Sequence, residues 1–383
     1  MTIAELMGNE ALRLEEFPVA KSRVFLGHAA VCPLPKRVAE AVARFALNCT
    51  QDDQERIPPL GLLAETRILA ARLIGASPEE IALVGPTSVG LSMIANGLRI
   101  RKGDNIMVYQ DDYPSNVYPW MSLAERGVQV RMMNIRELGR VRPLDILGQI
   151  DEQTRLVALS SCHFVSGWRL ELDAVSRMLR DRHIPFCLDG IQTLGAFPTP
   201  ASSFDFMAAD AHKWLLGPCG AGILYVRKEY QELVKPCVYG WHNVKSPNYL
   251  TANHIEFRKD ARRYEAGSAS LLGVVGLRAA LELILEIGVD NIAAELLRKR
   301  ARLVPALGAK GYTVLQANSA EPNASGIVSF HKPGTDIHAL HATLEAENVI
   351  TSLRGDRAGN SYIRVSPHFY NTDAELDQFL ALV

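Results

Sequence analysis

The stretch "ADAHKWLLGPCGAGILYV", residues 209 to 226, sets Lys213 between His212 and Trp214, after one apolar run and ahead of another. A lysine ordinarily sits in solvent as a cation. Held at the dry edge of a sheet it loses hydration, its pKa falls, and the free amine becomes a nucleophile toward a carbonyl. The run "PFCLDGIQ" ends on Asp189, 24 residues before Lys213, with Gln192 just beyond. A carboxylate at a neighbouring strand end can hold a protonated ring nitrogen. A third polar ending, His163 in "LVALSSCHFVSG", reads equally as a satisfied core histidine or as a catalytic one. Thr87 and Ser88 open the helical stretch "SVGLSMIANGL". They are good N-cap types, and a helix start also offers N–H groups and hydroxyls to a phosphate.

Groups so far apart in sequence need a scaffold that gathers them. From about residue 65 to 226 short apolar strands alternate with amphipathic helices: "EIALVG", "NIMVYQ", "VQVRMMNI", "TRLVALSS", "IPFCLDG", "FDFMAAD" and "GILYV" read as strands. That alternation predicts an α/β fold with a mainly parallel, doubly covered sheet. In such sheets ligands bind beyond the carboxyl ends of the strands, where Asp189, His163 and Lys213 would converge. After residue 270 the texture changes to a long apolar helix and then a compact α+β tail. The expected division is an N-terminal arm (1–24), a large domain (25–270), a connecting helix (271–287) and a small α+β domain (288–383).

Composition narrows the partners. With 41 basic and 42 acidic residues the formal net charge is −1, and 48% of residues are apolar. No long basic run exists, so nucleic acid is not an expected partner; "RKDARR" (258–263) reads as a solvated turn or a subunit contact. The six cysteines show no CxxC pair and no metal-ligand spacing, which points away from metal and toward a reducing compartment. The first residues lack an apolar signal region, and no apolar run reaches the roughly 18–20 residues of a membrane span. The expectation is a cytoplasmic protein with no membrane partner.

A carbonyl-reactive lysine, a carboxylate for a ring nitrogen and a phosphate cup together describe a site for pyridoxal 5'-phosphate. The chain resembles the class V aminotransferase group of fold-type I pyridoxal-phosphate enzymes, which includes cysteine desulfurases, kynureninase and isopenicillin N epimerase. The resemblance runs from "FLGHAAVCPLP" (25–35) through "YIRVSPHFYNTDAELDQF" (362–379). It implies that Lys213 is the Schiff-base lysine, that Asp189 pairs with the pyridinium nitrogen, and that Gln192 lies near the ring hydroxyl. It gives Thr87, Ser88 and His212 to the phosphate and sets Tyr113, in "DDYPSNVYPW", over the cofactor ring. Ser268, in "RYEAGSAS", resembles the position that reaches the neighbouring subunit's phosphate, which implies a homodimer with shared active sites. Arg364 matches the arginine that holds the substrate carboxylate, a task suited to a guanidinium fork. His28 and Trp241 are candidates for the substrate side; for Trp241, in "VYGWHN", an interface or loop anchor is the equal alternative.

Two departures shape the expected reaction. Asp210 precedes the His-Lys pair, and an acid beside a phosphate is unfavourable, so it is expected to turn away as a helix cap. The desulfurase branch carries a reactive cysteine in the loop before the last small-domain strand, whereas "ITSLRGDRAGNSYIR" has none. Cys32 reads as an inert thiol, Arg357 as a solvated charge, and Arg354 as a solvated charge or an alternative substrate contact. The sequence therefore predicts an enzyme acting at Cα or Cβ of a small amino acid, lyase- or epimerase-like. A true aminotransferase, a cysteine desulfurase and a non-catalytic cofactor-binding scaffold are the alternatives.

Overall fold

The computed structural model describes residues 1–58, 61–245, 250–251 and 253–383. Seven of the apolar runs become strands of one sheet: β1 (Ile81–Leu83), β2 (Asn105–Tyr109), β3 (Gln129–Met133), β4 (Thr154–Ser160), β5 (Phe186–Asp189), β6 (Phe206–Asp210) and β7 (Gly222–Val226). Their spatial order is β1-β7-β6-β5-β4-β2-β3. All run parallel except β7, which is antiparallel to both neighbours. The reason is the connection: residues 211–221 form a loop with no crossover helix, so the chain can only return beside β6 in the opposite sense.

Strands β2, β5, β6 and β7 are buried at every residue, as a sheet covered on both faces requires. Alternation splits their side chains between two cores. Met107, Tyr109 and Leu188 pack with Leu277, Leu281 and Ile284 of the helix Leu271–Ile287, while Ile106, Val108 and Cys187 pack with Leu91, Ile94 and Trp120. The helix Thr87–Gly97 lies so close to β6 that a Cβ on Gly90 would stand 2.8 Å from the Ala208 Cβ. Its N-cap is Pro86, and the Thr87 hydroxyl accepts the Asp210 N–H at 2.9 Å instead of capping. This corrects the N-cap reading of Thr87.

A second sheet is built from β8 (Thr313–Val314), β9 (Val328–His331), β10 (Ser352–Gly355) and β11 (Ser361–Val365), antiparallel throughout, in the order β10-β11-β9-β8. Its core joins Val328, Phe330, Ile363 and Val365 to Leu303, Leu344 and Phe379. Val24 and Leu26 belong to that core as well, and Val24–Phe25 pairs in parallel with Val349–Ile350. Residues read from sequence as the junction between arm and large domain thus pack with the C-terminal end of the chain. Immediately afterwards the Cys32 N–H donates to the His212 carbonyl at 2.8 Å, so the same segment crosses to the central sheet. Among the described residues no helix is long and apolar enough to cross a membrane.

Candidate active site

A cavity of about 240 Å³ opens where the carboxyl ends of β1, β2, β4, β5 and β6 face β10 and β11. Of the residues singled out in the sequence, Thr87 and Ser88 line it from one stretch, and Tyr113 and Asp189 from two others. Gln192, His212, Lys213 and Arg364 complete the set, with Arg354 beside Arg364.

Lys213 follows β6 and is buried, and desolvation lowers its pKa to about 8 against the opposing pull of Asp189. Its Nζ stands 5.2 Å from the centroid of the Tyr113 ring. Asp189 ends β5 in full burial; one oxygen, Oδ1, accepts the Ile191 N–H at 3.1 Å, and the other, Oδ2, has no hydrogen-bond partner. Burial, with Asp112 nearby, pushes its pKa up to about 7. A buried carboxylate oxygen without a donor costs free energy unless a ligand supplies one. The unpartnered oxygen therefore fits a cationic N–H group, such as a protonated ring nitrogen.

At the other end of the cavity the helix Thr87–Gly97 starts without a side-chain cap, so its first N–H groups and the Ser88 hydroxyl are available to an anion. Asp210 does turn away from this cup, but it is no helix cap. Its carboxylate accepts N–H bonds from Ala211 at 2.7 Å and Gly220 at 3.0 Å and lies 3.3 Å from His212 Nδ1. It thus pins the loop that presents His212 and Lys213. The Gln192 amide is anchored at both ends, donating to the Ala29 carbonyl at 3.1 Å and accepting from the Trp214 indole at 2.9 Å.

Arg364 on β11 is almost wholly buried. Its Nη1 donates to the Phe164 carbonyl at 2.6 Å, and its Nε has no partner. In the β10–β11 turn, Arg357 grips the Asp111 carboxylate at 2.6 Å and the Gln110 carbonyl at 3.0 Å. That turn is thereby fastened to the loop carrying Tyr113.

Four predicted residues lie elsewhere. His163 accepts the Ser166 N–H on Nδ1 at 3.0 Å, which leaves the proton on Nε2 to donate to the Asp111 carbonyl at 2.9 Å. Burial holds this ring neutral, and its neighbour Phe164 is the one that lines the cavity. His28 is enclosed, bonded to the Ser366 carbonyl at 2.9 Å and the Tyr370 hydroxyl at 2.8 Å, and burial lowers its pKa to about 4. Both histidines are structural here. Trp241 and Ser268 line a separate surface groove of about 730 Å³ with Arg56, Arg258 and Arg262. Sequence reading missed the backbone wall of Ala29 to Val31, whose only signal was its place in the quoted "FLGHAAVCPLP" segment.

A family model described as Aminotransferase class-V matches residues 24–379. A probable cysteine desulfurase of Methanothermobacter thermautotrophicus is 27% identical over 94% of this chain and 94% of its own length. One from Xylella fastidiosa is 28% identical over 94% and 90%. Among solved structures, a cysteine desulfurase of Thermococcus onnurineus superposes with a TM-score of 0.87 at 23% identity, covering 97% of this chain and 96% of that one. The cystine C-S lyase C-DES, solved with its reaction product cysteine persulfide, gives 0.87 at 22% identity over 95% and 98%.

Proposed function

The chain belongs to the class V aminotransferase family of pyridoxal-phosphate-dependent enzymes, and we propose that it is a lyase acting on a sulfur-containing amino acid by β-elimination. The observation that carries the cofactor reading is the convergence of a buried Lys213 amine with an unpartnered Asp189 oxygen in one cavity. Pyridoxal phosphate, when bound, supplies an aldehyde for the substrate amine and a pyridinium that accepts electrons from Cα.

The chain's own residues have separate tasks in this reading. Asp189 would keep a proton on the ring nitrogen through its unpartnered Oδ2. Ser88, His212 and the N-terminus of the helix Thr87–Gly97 would hold the phosphate, and Tyr113 would cover the ring. The Arg364 fork holds the α-carboxylate, which sets the Cα–H bond against Lys213 Nζ. Lys213, whose amine is neutral above about pH 8, takes that proton. With the cofactor bound, loss of that proton would let the Cα electron pair form a Cα–Cβ double bond as the C–S pair leaves on sulfur, and hydrolysis of the released enamine would give a keto acid and ammonia.

Elimination is favoured over desulfuration by the turn that joins the strands carrying Arg354 and Arg364: residues 356–360 are Asp, Arg, Ala, Gly and Asn, with no thiol to receive sulfur. Cys32 is buried, with its thiol pushed up to about 12, so it is a poor nucleophile. The relatives from Methanothermobacter thermautotrophicus and Xylella fastidiosa, both probable cysteine desulfurases, favour the second reading, a cysteine desulfurase. Incubation with cysteine or cystine separates the two: elimination yields pyruvate and ammonia with free sulfide or a small persulfide. Alanine formed in equal amount with a persulfide on a protein cysteine would establish the desulfurase instead. We further infer a homodimer in which Ser268 serves the neighbouring site. A cytoplasmic setting is supported by six cysteines that are all unpaired.

A further inference from the structure

The two arginines in the cavity are arranged unlike the other buried arginines. Arg364 on β11 faces Ser352 on β10 in register, and Arg354 lies two residues beyond Ser352 on the same strand. Side chains two apart on a strand share a face, so the two guanidiniums are diagonal neighbours aimed from one sheet face into one cavity. Like charges so placed repel unless an anion lies between or beyond them. Among the described residues neither arginine has a carboxylate within ion-pair distance.

Elsewhere in the protein a buried arginine is matched. Arg13 has Glu10 and Glu375, and Arg67 has Glu265. Arg169 and Arg300 lack an acid, but each donates to two backbone carbonyls. Arg364 instead has a single short bond, from Nη1 to the Phe164 carbonyl, with Nε unpartnered and Nη2 only 3.5 Å from the Ser352 hydroxyl, while Arg354 donates from Nη1 to its neighbour's carbonyl, Leu353, at 2.7 Å. Asp189 is the one carboxylate among the residues lining the cavity, and in the reading above it is engaged by the ring nitrogen. A monocarboxylate would satisfy one fork and leave the second cation facing an empty space. Arg354 is less enclosed than Arg364, so the two mark an inner and an outer anion position.

We propose that this cavity selects a dicarboxylic α-amino acid, with Arg364 holding the α-carboxylate and Arg354 the carboxylate at the far end of the side chain. This rests on the cofactor-dependent reading above and adds the substrate class to it. Leaving a desolvated guanidinium without its anion costs affinity on the order of 30-fold or more.

The test is calorimetric titration of the purified holoenzyme with unreactive acids of matched length, glutarate against valerate and succinate against butyrate. At least one diacid should bind about 30-fold more tightly than its monoacid. Arg354→Gln should remove that preference while leaving the monoacid within about threefold of its original affinity, because it loses only the outer charge. Arg364→Gln should weaken both members of each pair, and Arg354→Lys should retain part of the preference. Equal binding of diacid and monoacid by the unmodified protein would overturn the proposal. So would an Arg354→Gln variant that weakens both equally, since the two arginines would then share one carboxylate. Failure of the underlying reading looks different: the preparation would carry no cofactor absorbance and no borohydride-fixed label on Lys213, whatever the acids do.

Discussion

At Lys213 two effects oppose each other. Burial removes the hydration that stabilises an ammonium, while Asp189 attracts it; desolvation is the larger effect and the pKa falls to about 8. The sign follows directly. Below that pH the amine is protonated and cannot attack an aldehyde; above it the lone pair is free. After bound cofactor is removed, covalent uptake of pyridoxal phosphate, trapped with borohydride, should rise across about pH 8 and map to Lys213. Lys213→Ala should abolish the label. Uptake that rises only near pH 10 and spreads over several peptides would mean that ordinary surface lysines are reacting. His163 and Phe164 illustrate what a sequence cannot disclose at this scale. They are adjacent, and only the turn geometry decides that the phenyl ring faces the cavity while the imidazole faces Ser166 and Asp111.

At the scale of elements, the site depends on how closely the helix Thr87–Gly97 lies on β6. Gly90 faces Ala208, and any Cβ there would be 2.8 Å from the alanine methyl. Gly90→Val should therefore destabilise the protein by about 1–3 kcal/mol, the usual cost of overpacking. The shift should separate Thr87 and Ser88 from His212, so cofactor affinity should fall along with the urea midpoint. An unchanged affinity at lowered stability would show that the phosphate end tolerates the displacement. The strands were legible because short apolar runs end on Gly, Pro and Asp, and because helices of regular length separate them. Strand β10 was not, since Ser352, Arg354 and Gly355 break the apolar pattern of an edge strand whose other face meets the cavity. The antiparallel sense of β7 was equally hidden. It follows from a connection too short to cross the sheet, which a strand-by-strand reading does not weigh.

At the scale of the whole molecule, Ser268 and Trp241 stand away from the cavity of their own chain. The Ser268 hydroxyl donates to Glu55 at 3.3 Å in a groove rimmed by Arg56, Arg258 and Arg262 and lined by the exposed Trp241 and by Leu271. A second copy of the chain would cover these apolar side chains and bring Ser268 to the other subunit's phosphate cup. Co-expressing Lys213→Ala with Ser268→Asp chains tests this. In a two-fold dimer, each hybrid contains one site with Lys213 and a partner Ser268 both intact, so the isolated hybrid should show about half the activity of the unmodified dimer, and a randomly paired mixture about a quarter. No recovery, with both variants still dimeric, would show that each site is complete within one chain.

The pairing of Val24–Phe25 with Val349–Ile350 has a consequence for biosynthesis. The Ser366 hydroxyl and the Leu26 carbonyl, 340 residues apart in sequence, meet in that same seam, and Ala29 to Val31, a few residues beyond it, form a wall of the cavity. While the chain is still emerging from the ribosome, Val24–Phe25 lacks its strand partner until residues 349 and 350, more than 300 residues later, have been translated. The central sheet can assemble earlier from contacts closer in sequence. The reactive pocket is thus walled in only once residues 349–366 have followed, and a nascent chain that stalls before residue 349 exposes Lys213 without an enclosed site around it.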